Sequence, residues 1–390
     1  MNIKVYNILY KMQEYKSFDD MELRENTERG IYAYGFEIPS EIQGKTIVPI
    51  KQGKDIIGQA QSGMGKTGAF CIGSLEIIDF TNNICQCIII APTHELAEQT
   101  YNVMKQLGQY YNPSISLCVG GDYQINKKFD DIKHSHIIVG TPGKLEDLIR
   151  RRIINVGYIK ICVLDEADNL LSDNFIEQIH TIISQLCNNT QICAFSATFT
   201  NRSIEIAKKN ILKNPLEIRI NDEELTLIGI KQYYIKVDKE FCKFDVLCEL
   251  FGMLSISQTI IYVNSVIQAT RLADKMSERN FSISVIHSSL TSTQRHNLIS
   301  EFRTGHSRVL ITTDLLARGF DVQQVSYVIN YDIPNDPIVY LHRIGRSGRY
   351  GRIGTAINFI TNSDISKMDR IENTYKVRIE LLPALGELNI

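Results

Sequence analysis

Short β-branched runs recur along the chain at helix-length intervals, and this alternation limits the fold more than any other feature. In the first half they are Asp55-Ile56-Ile57, Cys87-Ile88-Ile89-Ile90, Ser114-Ile115-Ser116-Leu117, His136-Ile137-Ile138-Val139, Ile161-Cys162-Val163-Leu164 and Ile192-Cys193-Ala194-Phe195. Runs this short and apolar on both faces suit the buried parallel strands of an α/β sheet. Helical patterns fill the intervals, for example Leu96, Thr100, Val103, Met104 and Leu107 on one face. The second half repeats the plan with Thr259–Val263, Ile283–Ile286, Val309–Ile311, Tyr327–Ile329 and Ala356–Phe359. The fold class is therefore α/β, with two tandem domains, each a parallel sheet flanked by helices. The boundaries are an N-terminal extension over 1–17, a first domain over 18–216, a connector over 217–228 and a second domain over 229–390. Two such layers joined by a short connector imply a cleft, where ligands favour the carboxyl ends of the strands.

Charge and cysteine content narrow the function. The 390 residues carry 42 basic and 44 acidic side chains, a net charge of −2. A chain that holds nucleic acid by bulk charge is usually basic, so this balance alone favours an enzyme without a polyanionic partner. Any nucleic-acid contact must be local or gated. No apolar run approaches the roughly 18–20 residues of a membrane helix, and Met1–Tyr15 lacks a signal-peptide core. The nine cysteines show no C-x-x-C spacing. They read as buried thiols of a reducing compartment rather than metal ligands. Cys85 and Cys87, two apart, are expected on one face of a strand.

Four segments carry chemistry. Asp55-Ile56-Ile57 runs into Ala60-Gln61-Ser62-Gly63-Met64-Gly65-Lys66-Thr67 and then a helical pattern. This is a phosphate loop with Ala60 at its usual first glycine. Its backbone N–H groups would cradle phosphate oxygens, Lys66 would reach the terminal phosphates and Thr67 would ligate Mg²⁺. The bland reading is a glycine-rich turn opening a helix. Asp165-Glu166-Ala167-Asp168 closes the run Ile161–Leu164. With the phosphate loop expected on a neighbouring strand, Asp165 would hold the metal, commonly through water, and Glu166 would orient or deprotonate the attacking water; alone, the segment would pass for a solvated acidic turn. Ser196-Ala197-Thr198 also ends a strand, and its hydroxyls could bond Asp168; the same tripeptide serves equally as a helix cap. In the second half, His342-Arg343-Ile344-Gly345-Arg346-Ser347-Gly348-Arg349 would pass for a basic loop. Across a nucleotide, Arg346 and Arg349 could instead act as arginine fingers dependent on closure.

Taken in this order, the segments resemble the DEAD-box RNA helicases of helicase superfamily 2 over about Phe18 to Pro383. The translation initiation factor 4A branch is matched at Phe18-Asp19-Asp20-Met21, Gly30–Glu37, Asp222–Leu227 and Thr313–Gly319. The resemblance implies two RecA-like domains that close on ATP and single-stranded RNA together. It implies that Gln43, in Pro39-Ser40-Glu41-Ile42-Gln43, reads the adenine edge, that Phe18 packs on the base and that Asp321 meets the ribose. Asp168, Ser196, Thr198 and His342 would couple the domains. RNA would lie across the opposite face, on Pro92, Thr93, Gly121, Thr141, Pro142 and Gly143 of the first domain and Asn264, Arg295 and Thr312 of the second. Contacts to phosphate and 2′-hydroxyl groups would reconcile RNA binding with the acidic balance.

The chain departs from the family pattern at His94 and Lys144, where arginine is usual, at Asn174 and Ser288 (glycine), at Ser292 (glutamine) and at Met64 (threonine). Histidine lacks a fixed charge near neutral pH and lysine lacks the planar fork. RNA affinity below that usual in the branch is therefore expected, with ATP binding retained. The main implied role is unwinding short structures in messenger RNA during translation initiation, in the cytoplasm. Expected partners are a helical-repeat scaffold factor and an RNA-binding cofactor, because the chain shows almost no extension to serve as a specificity module. The alternative is an ATP-gated RNA clamp of the exon-junction type, which would be nuclear and is favoured by Arg346–Arg352. A third reading is an ATPase uncoupled from RNA.

Overall fold

The computed structural model describes residues 14–61, 63–120, 129–220, 230–253, 258–314, 325–347 and 354–383. Two seven-stranded sheets organise them, and every recorded pairing between named strands is parallel. The first comprises β1 Ile56–Gln59, β2 Cys87–Ile90, β3 Ile115–Cys118, β4 Ile137–Gly140, β5 Ile161–Asp165, β6 Gln191–Ser196 and β7 Leu216–Arg219. The second comprises β8 Ile230–Lys236, β9 Thr259–Tyr262, β10 Ile283–Ile286, β11 Val309–Thr312, β12 Tyr327–Asn330, β13 Gly354–Ile360 and β14 Glu380–Leu381. The strand orders are β3-β4-β2-β5-β6-β1-β7 and β10-β11-β9-β12-β13-β8-β14. Adding seven to each number of the first gives the second, so the two halves share one topology.

Central strands β2, β4, β5 and β6 are buried at every position, because helices cover both faces of the sheet. One apolar cluster, with Phe70, Ile89, Val163 and Phe195, fills one side. Another, with Ile88, Ile138, Leu164 and Ile182, fills the other. No helix among the described residues is long and apolar enough to cross a membrane.

The structure differs from the sequence reading in several places. Edge strands β7 and β14, and β8 beside β14, were not among the expected runs. Strand β7 pairs with β1, so the first sheet extends into the segment read as a connector. In β8 the sequence Lys231-Gln232-Tyr233 interrupts the apolar run, which hides it from a search for β-branched stretches. Cys87 packs in one cluster and Cys85 in the other, on opposite faces, since Cys85 precedes the strand and does not follow its alternation. Six cysteines are buried, whereas Cys187 is exposed and Cys242 and Cys248 are half-buried.

Candidate nucleotide site and interdomain cleft

The phosphate loop leaves the carboxyl end of β1 and turns into the helix Lys66–Ile77. Gly63 and Gly65 adopt φ of 85° and 87°, a region that disfavours side chains. A Cβ at Gly65 would also lie 2.7 Å from the Gln43 amide nitrogen. Lys66 is buried, and its ammonium donates to the carbonyls of Ala60 (2.7 Å) and Gln61 (3.1 Å). Burial pushes its pKa down. Glu166 and Asp165 pull it back up, and Arg346 of the second domain pushes it down again.

Glu166 and Asp165 stand one strand further away than expected, because β6 lies between β1 and β5. Asp165 ends β5, accepting from the Glu166 N–H at 3.0 Å and from the Thr100 hydroxyl at 3.3 Å. Burial first, and the adjacent Glu166 carboxylate second, push its pKa up to about 7 against the pull of Lys66. Glu166 turns the chain at φ 51°, ψ 53°, a left-handed geometry rare outside glycine and asparagine. It is 4% exposed, and its Oε2 is buried without a hydrogen-bond partner. Two buried carboxylates side by side, one with an orphaned oxygen, form an oxygen donor set suited to a divalent cation and a water. Thr67 at the helix start stands half-buried.

Asp168 links this pocket to the other domain. Ser196 Oγ donates to its Oδ1 at 2.7 Å and Thr198 Oγ1 to its Oδ2 at 2.8 Å. His342, on the second-domain helix Pro337–Ile344, brings Nε2 to 3.3 Å from Thr198 Oγ1 and 3.8 Å from Asp168 Oδ2. The Thr198 proton is engaged by Asp168, so His342 Nε2 must be the donor of that contact. Arg346 is buried at the same seam. Ser62, Gly121, Asp321 and Arg349 lie outside the described residues.

Two expected base contacts look different in place. Phe18 is 0% exposed and stacks against Phe36 with centroids 6.5 Å apart, so it offers no ring face to a base. Phe36 is half-buried, and a Cβ at Gly68 would meet its ring at 2.9 Å. Phe36 is therefore the aromatic beside the phosphate-loop helix, and Phe18 supports it from below. Its position seven residues before Gln43 was the available signal. Gln43 caps its own helix, its Oε1 accepting from Ser40 N, and its Nε2 donates to the Gly65 carbonyl at 3.2 Å. Each amide atom keeps one further hydrogen-bonding site.

The residues expected on RNA lie further along the same carboxyl edge, not across an opposite face. Thr93 caps the helix His94–Leu107 after β2, and Thr141 with Pro142 opens the helix Pro142–Arg150 after β4. Strands β2 and β4 are adjacent, so two helix N-termini sit side by side, with Gly143 exposed and Pro92 buried. Across the cleft, Arg295 donates to Glu95 at 2.8 Å. The Asn264 and Thr312 side chains are engaged inside their domain. Asn264 bonds Arg343 and the Ile333 carbonyl, and buried Thr312 donates to the Ile286 carbonyl at 2.9 Å. Arg343, assigned no role from sequence, is 0% exposed and joins Asp314, Asn330, Asp332 and Asn264.

Comparison with known proteins agrees with this geometry. The DEAD/DEAH box helicase family matches residues 40–206, and the helicase conserved C-terminal domain matches residues 242–351. Eukaryotic initiation factor 4A-9 of Nicotiana tabacum is 48% identical over 370 residues, 95% of this chain and 89% of that protein. The chain belongs to the DEAD-box helicase family. Within it, the helicase falls on the initiation factor 4A branch and is an ATP-dependent enzyme. S. cerevisiae Dbp5 bound to RNA and ADP BeF3 superposes with a TM-score of 0.88 at 37% identity, covering 94% of this chain and 95% of that one. A Dbp5 variant bound to Nup159, Gle1, IP6 and ADP reaches only 0.65 at 35% identity, covering 92% and 94%. In this structure the two domains meet at His342 with Asp168 and at Arg295 with Glu95.

Proposed function

We propose that this helicase is an RNA-stimulated ATPase that binds single-stranded RNA without sequence preference and separates short duplexes in messenger RNA during translation initiation, in the cytoplasm. The observation that carries the reading is the seam at Asp168. Ser196, Thr198 and His342 meet on one carboxylate, so the ATP pocket is completed only when the domains close. Mg²⁺ would be held by Thr67 and Asp165, where it would neutralise phosphate charge. Lys66 would exchange its two loop carbonyls for phosphate oxygens, and Glu166 Oε2 would take the proton of the attacking water. Phe36 would stack on the base and Gln43 would use its remaining amide sites on the adenine edge, with Asp321 meeting the ribose. Arg346, with Arg349, would face the leaving phosphate from the second domain. RNA phosphates would lie on the paired helix N-termini at Thr93 and Thr141, where backbone N–H groups need no net positive charge. A helical-repeat scaffold and an RNA-binding cofactor are the partners implied by the relatives' role as initiation factors.

Steady-state ATP hydrolysis with and without single-stranded RNA tests this reading. A several-fold rise is expected, and no rise with normal ATP binding would reduce the enzyme to an uncoupled ATPase. Exchanging His94 and Lys144 for arginine together is expected to tighten RNA binding in the presence of a non-hydrolysable ATP analogue. His94 adds no charge at neutral pH, since burial holds its imidazole below the usual value. The new charge should steepen the salt dependence by about one unit of log–log slope. Equal affinities and slopes would show that these positions do not limit RNA binding.

The Asp165 carboxyl gives a pH test with two opposite signs. Its folded value of about 7 exceeds the unfolded value of about 3.9. The nucleotide-free fold therefore binds the proton more tightly and loses this stabilisation as pH rises from about 4 to about 7. Nucleotide with its cation needs the ionised form, so nucleotide affinity should fall below pH 7, by up to about tenfold per unit. Titrations with a fluorescent nucleotide at pH 6 and 7.5, beside thermal unfolding of the nucleotide-free protein, check both. Affinity that does not change with pH would contradict the assignment.

A further inference from the structure

The helix Pro337–Ile344 packs on the second sheet through an apolar cluster that includes Ile230, Ile333, Ile344, Ala356 and Ile360. Three polar side chains cross that layer on neighbouring strands: Asn330 of β12, Asn358 of β13 and Gln232 of β8. Asn330 and Asn358 are register partners. All three are buried, and so are Tyr340 and Arg343, which stand one turn apart on the helix. Arg343 Nη1 donates to Asn330 Oδ1 at 3.2 Å, and Asn330 Nδ2 to Asn358 Oδ1 at 2.8 Å. Asn358 Nδ2 donates to the Tyr340 hydroxyl at 3.3 Å and to the Tyr233 carbonyl at 2.9 Å. The hydroxyl in turn donates to Gln232 Oε1 at 2.9 Å. One end sets the direction of the whole ladder. A guanidinium only donates, so Asn330 must turn its oxygen to Arg343 and its amide hydrogens to Asn358. The same constraint passes along until the Tyr340 proton points at Gln232. Burial pushes the Tyr340 pKa further up, so that proton stays in place. Satisfied buried networks of this kind strengthen cooperatively and specify one geometry.

Apolar packing alone is non-directional and would hold the helix on the sheet without fixing its rotation. The ladder leaves the helix at Arg343 and returns to it at Tyr340, so both side chains keep their partners in only one setting. His342 lies about 200° round the helix from Tyr340, away from the ladder and toward Thr198 and Asp168. Its tip is roughly 5–6 Å from the helix axis, so a turn of about 20° would shift it by about 2 Å. That would break its 3.3 Å contact with Thr198 Oγ1.

We infer that Tyr340 is a positioning residue for the ATPase: through the ladder from Arg343 to Gln232, its hydroxyl sets the rotation of the helix Pro337–Ile344 and so aims His342 at the Asp168 seam. The setting of the helix stands on the hydrogen bonds themselves. The consequence for turnover rests on the proposed function above.

ATP turnover at saturating poly(U) and thermal unfolding are measured for the full chain, Tyr340→Phe, His342→Ala, their double variant and Ile261→Val. Tyr340→Phe removes the hydroxyl and keeps the ring. Ile261 packs in the apolar cluster on the other face of the sheet, and its exchange is the control for stability. Losing one buried methyl group and losing one buried hydrogen bond destabilise by similar amounts, so both variants should melt about 2–4 °C lower. Stimulated turnover should fall about tenfold in Tyr340→Phe, the factor for a barrier raised by about 1.4 kcal/mol, but less than twofold in Ile261→Val. In the His342→Ala background the Tyr340 exchange should cost less than a further twofold, because it acts through His342. Equal turnover in Tyr340→Phe and Ile261→Val would overturn the inference, as would multiplying effects with His342→Ala. A parallel readout needs neither RNA nor domain closure. Amide hydrogen exchange within Pro337–Ile344 should be about tenfold faster in Tyr340→Phe than in Ile261→Val, since local opening is read separately from global stability. Equal exchange would overturn the inference. Absence of RNA stimulation in the unmodified chain would overturn the proposed function instead, leaving the exchange comparison to decide whether the ladder sets the helix.

Discussion

Glu166→Gln is expected to lower ATP turnover by about 10²–10⁴, the range that a positioned general base supplies, while nucleotide still binds. Glutamine has nearly the same volume and keeps an oxygen acceptor, but it cannot take a proton from water near neutral pH. The backbone at φ 51° aims the side chain into the pocket, and its Oε2 has no protein partner to disengage from. A second effect should run the other way. Asp165 and Glu166 are adjacent buried carboxylates, and their repulsion helps to raise Asp165. Removing one charge relieves it, so the nucleotide-free variant should melt a few degrees higher. Strain and repulsion retained at a reactive site commonly lower stability in this way. Single-turnover hydrolysis, nucleotide titration and thermal unfolding read the three quantities. Turnover within threefold of the unmodified enzyme would remove Glu166 from the proton transfer.

Arg343→Ala is expected to destabilise the second domain by about 3–5 kcal/mol, as when one partner of a buried ionic network is deleted. The guanidinium donates to Asp314 Oδ1 at 2.6 Å, Asn330 Oδ1 at 3.2 Å, the Asp332 carbonyl at 2.7 Å and Asn264 Oδ1 at 2.8 Å. It also lies 5.1 Å from the Tyr262 ring centroid. These partners come from the ends of β9, β11 and β12, so one side chain ties together three strand exits. Its neighbours His342 and Arg346 face the cleft from the same segment, and both should loosen with it. At roughly 2–4 °C per kcal/mol for a domain of this size, the second domain should melt about 10 °C lower, and RNA stimulation should be lost with it. Arg343→Lys keeps the charge but not the planar fork, so an intermediate loss is expected. An alanine variant as stable as the parent would show that the network is not what holds these exits.

The phosphate loop, the Asp165–Asp168 segment and Ser196–Thr198 were legible in the sequence because each lies within a few residues of a strand end. There, local chain geometry already limits where a side chain can point. Thr93 and Thr141 were named only through the family resemblance, and only the structure shows that they stand at two neighbouring helix N-termini. Phe18 was assigned to the base through the resemblance alone, and only packing shows that its ring is covered while Phe36 stands half-buried beside the phosphate-loop helix. Arg343 stayed hidden among three arginines in eight residues, since nothing in its neighbourhood reveals that its partners arrive from Asn264, Asp314, Asn330 and Asp332. Edge strands β7 and β14, and β8 beside the short β14, were missed because they are not buried on both faces, and such strands leave a weaker apolar pattern.

By itself, the sequence determined the alternation of buried strands and helices, the duplication of that plan and the chemical groups at the strand ends. These depend on interactions a few residues long. Tertiary structure alone decided which strand ends share a pocket, that β6 separates the phosphate loop from Asp165, and which arginine supports the domain and which faces the cleft. It also decided that Glu95 meets Arg295 and Asp168 meets His342. Those contacts join residues up to two hundred positions apart, and their strength comes from burial and the low local dielectric that only the assembled domains create.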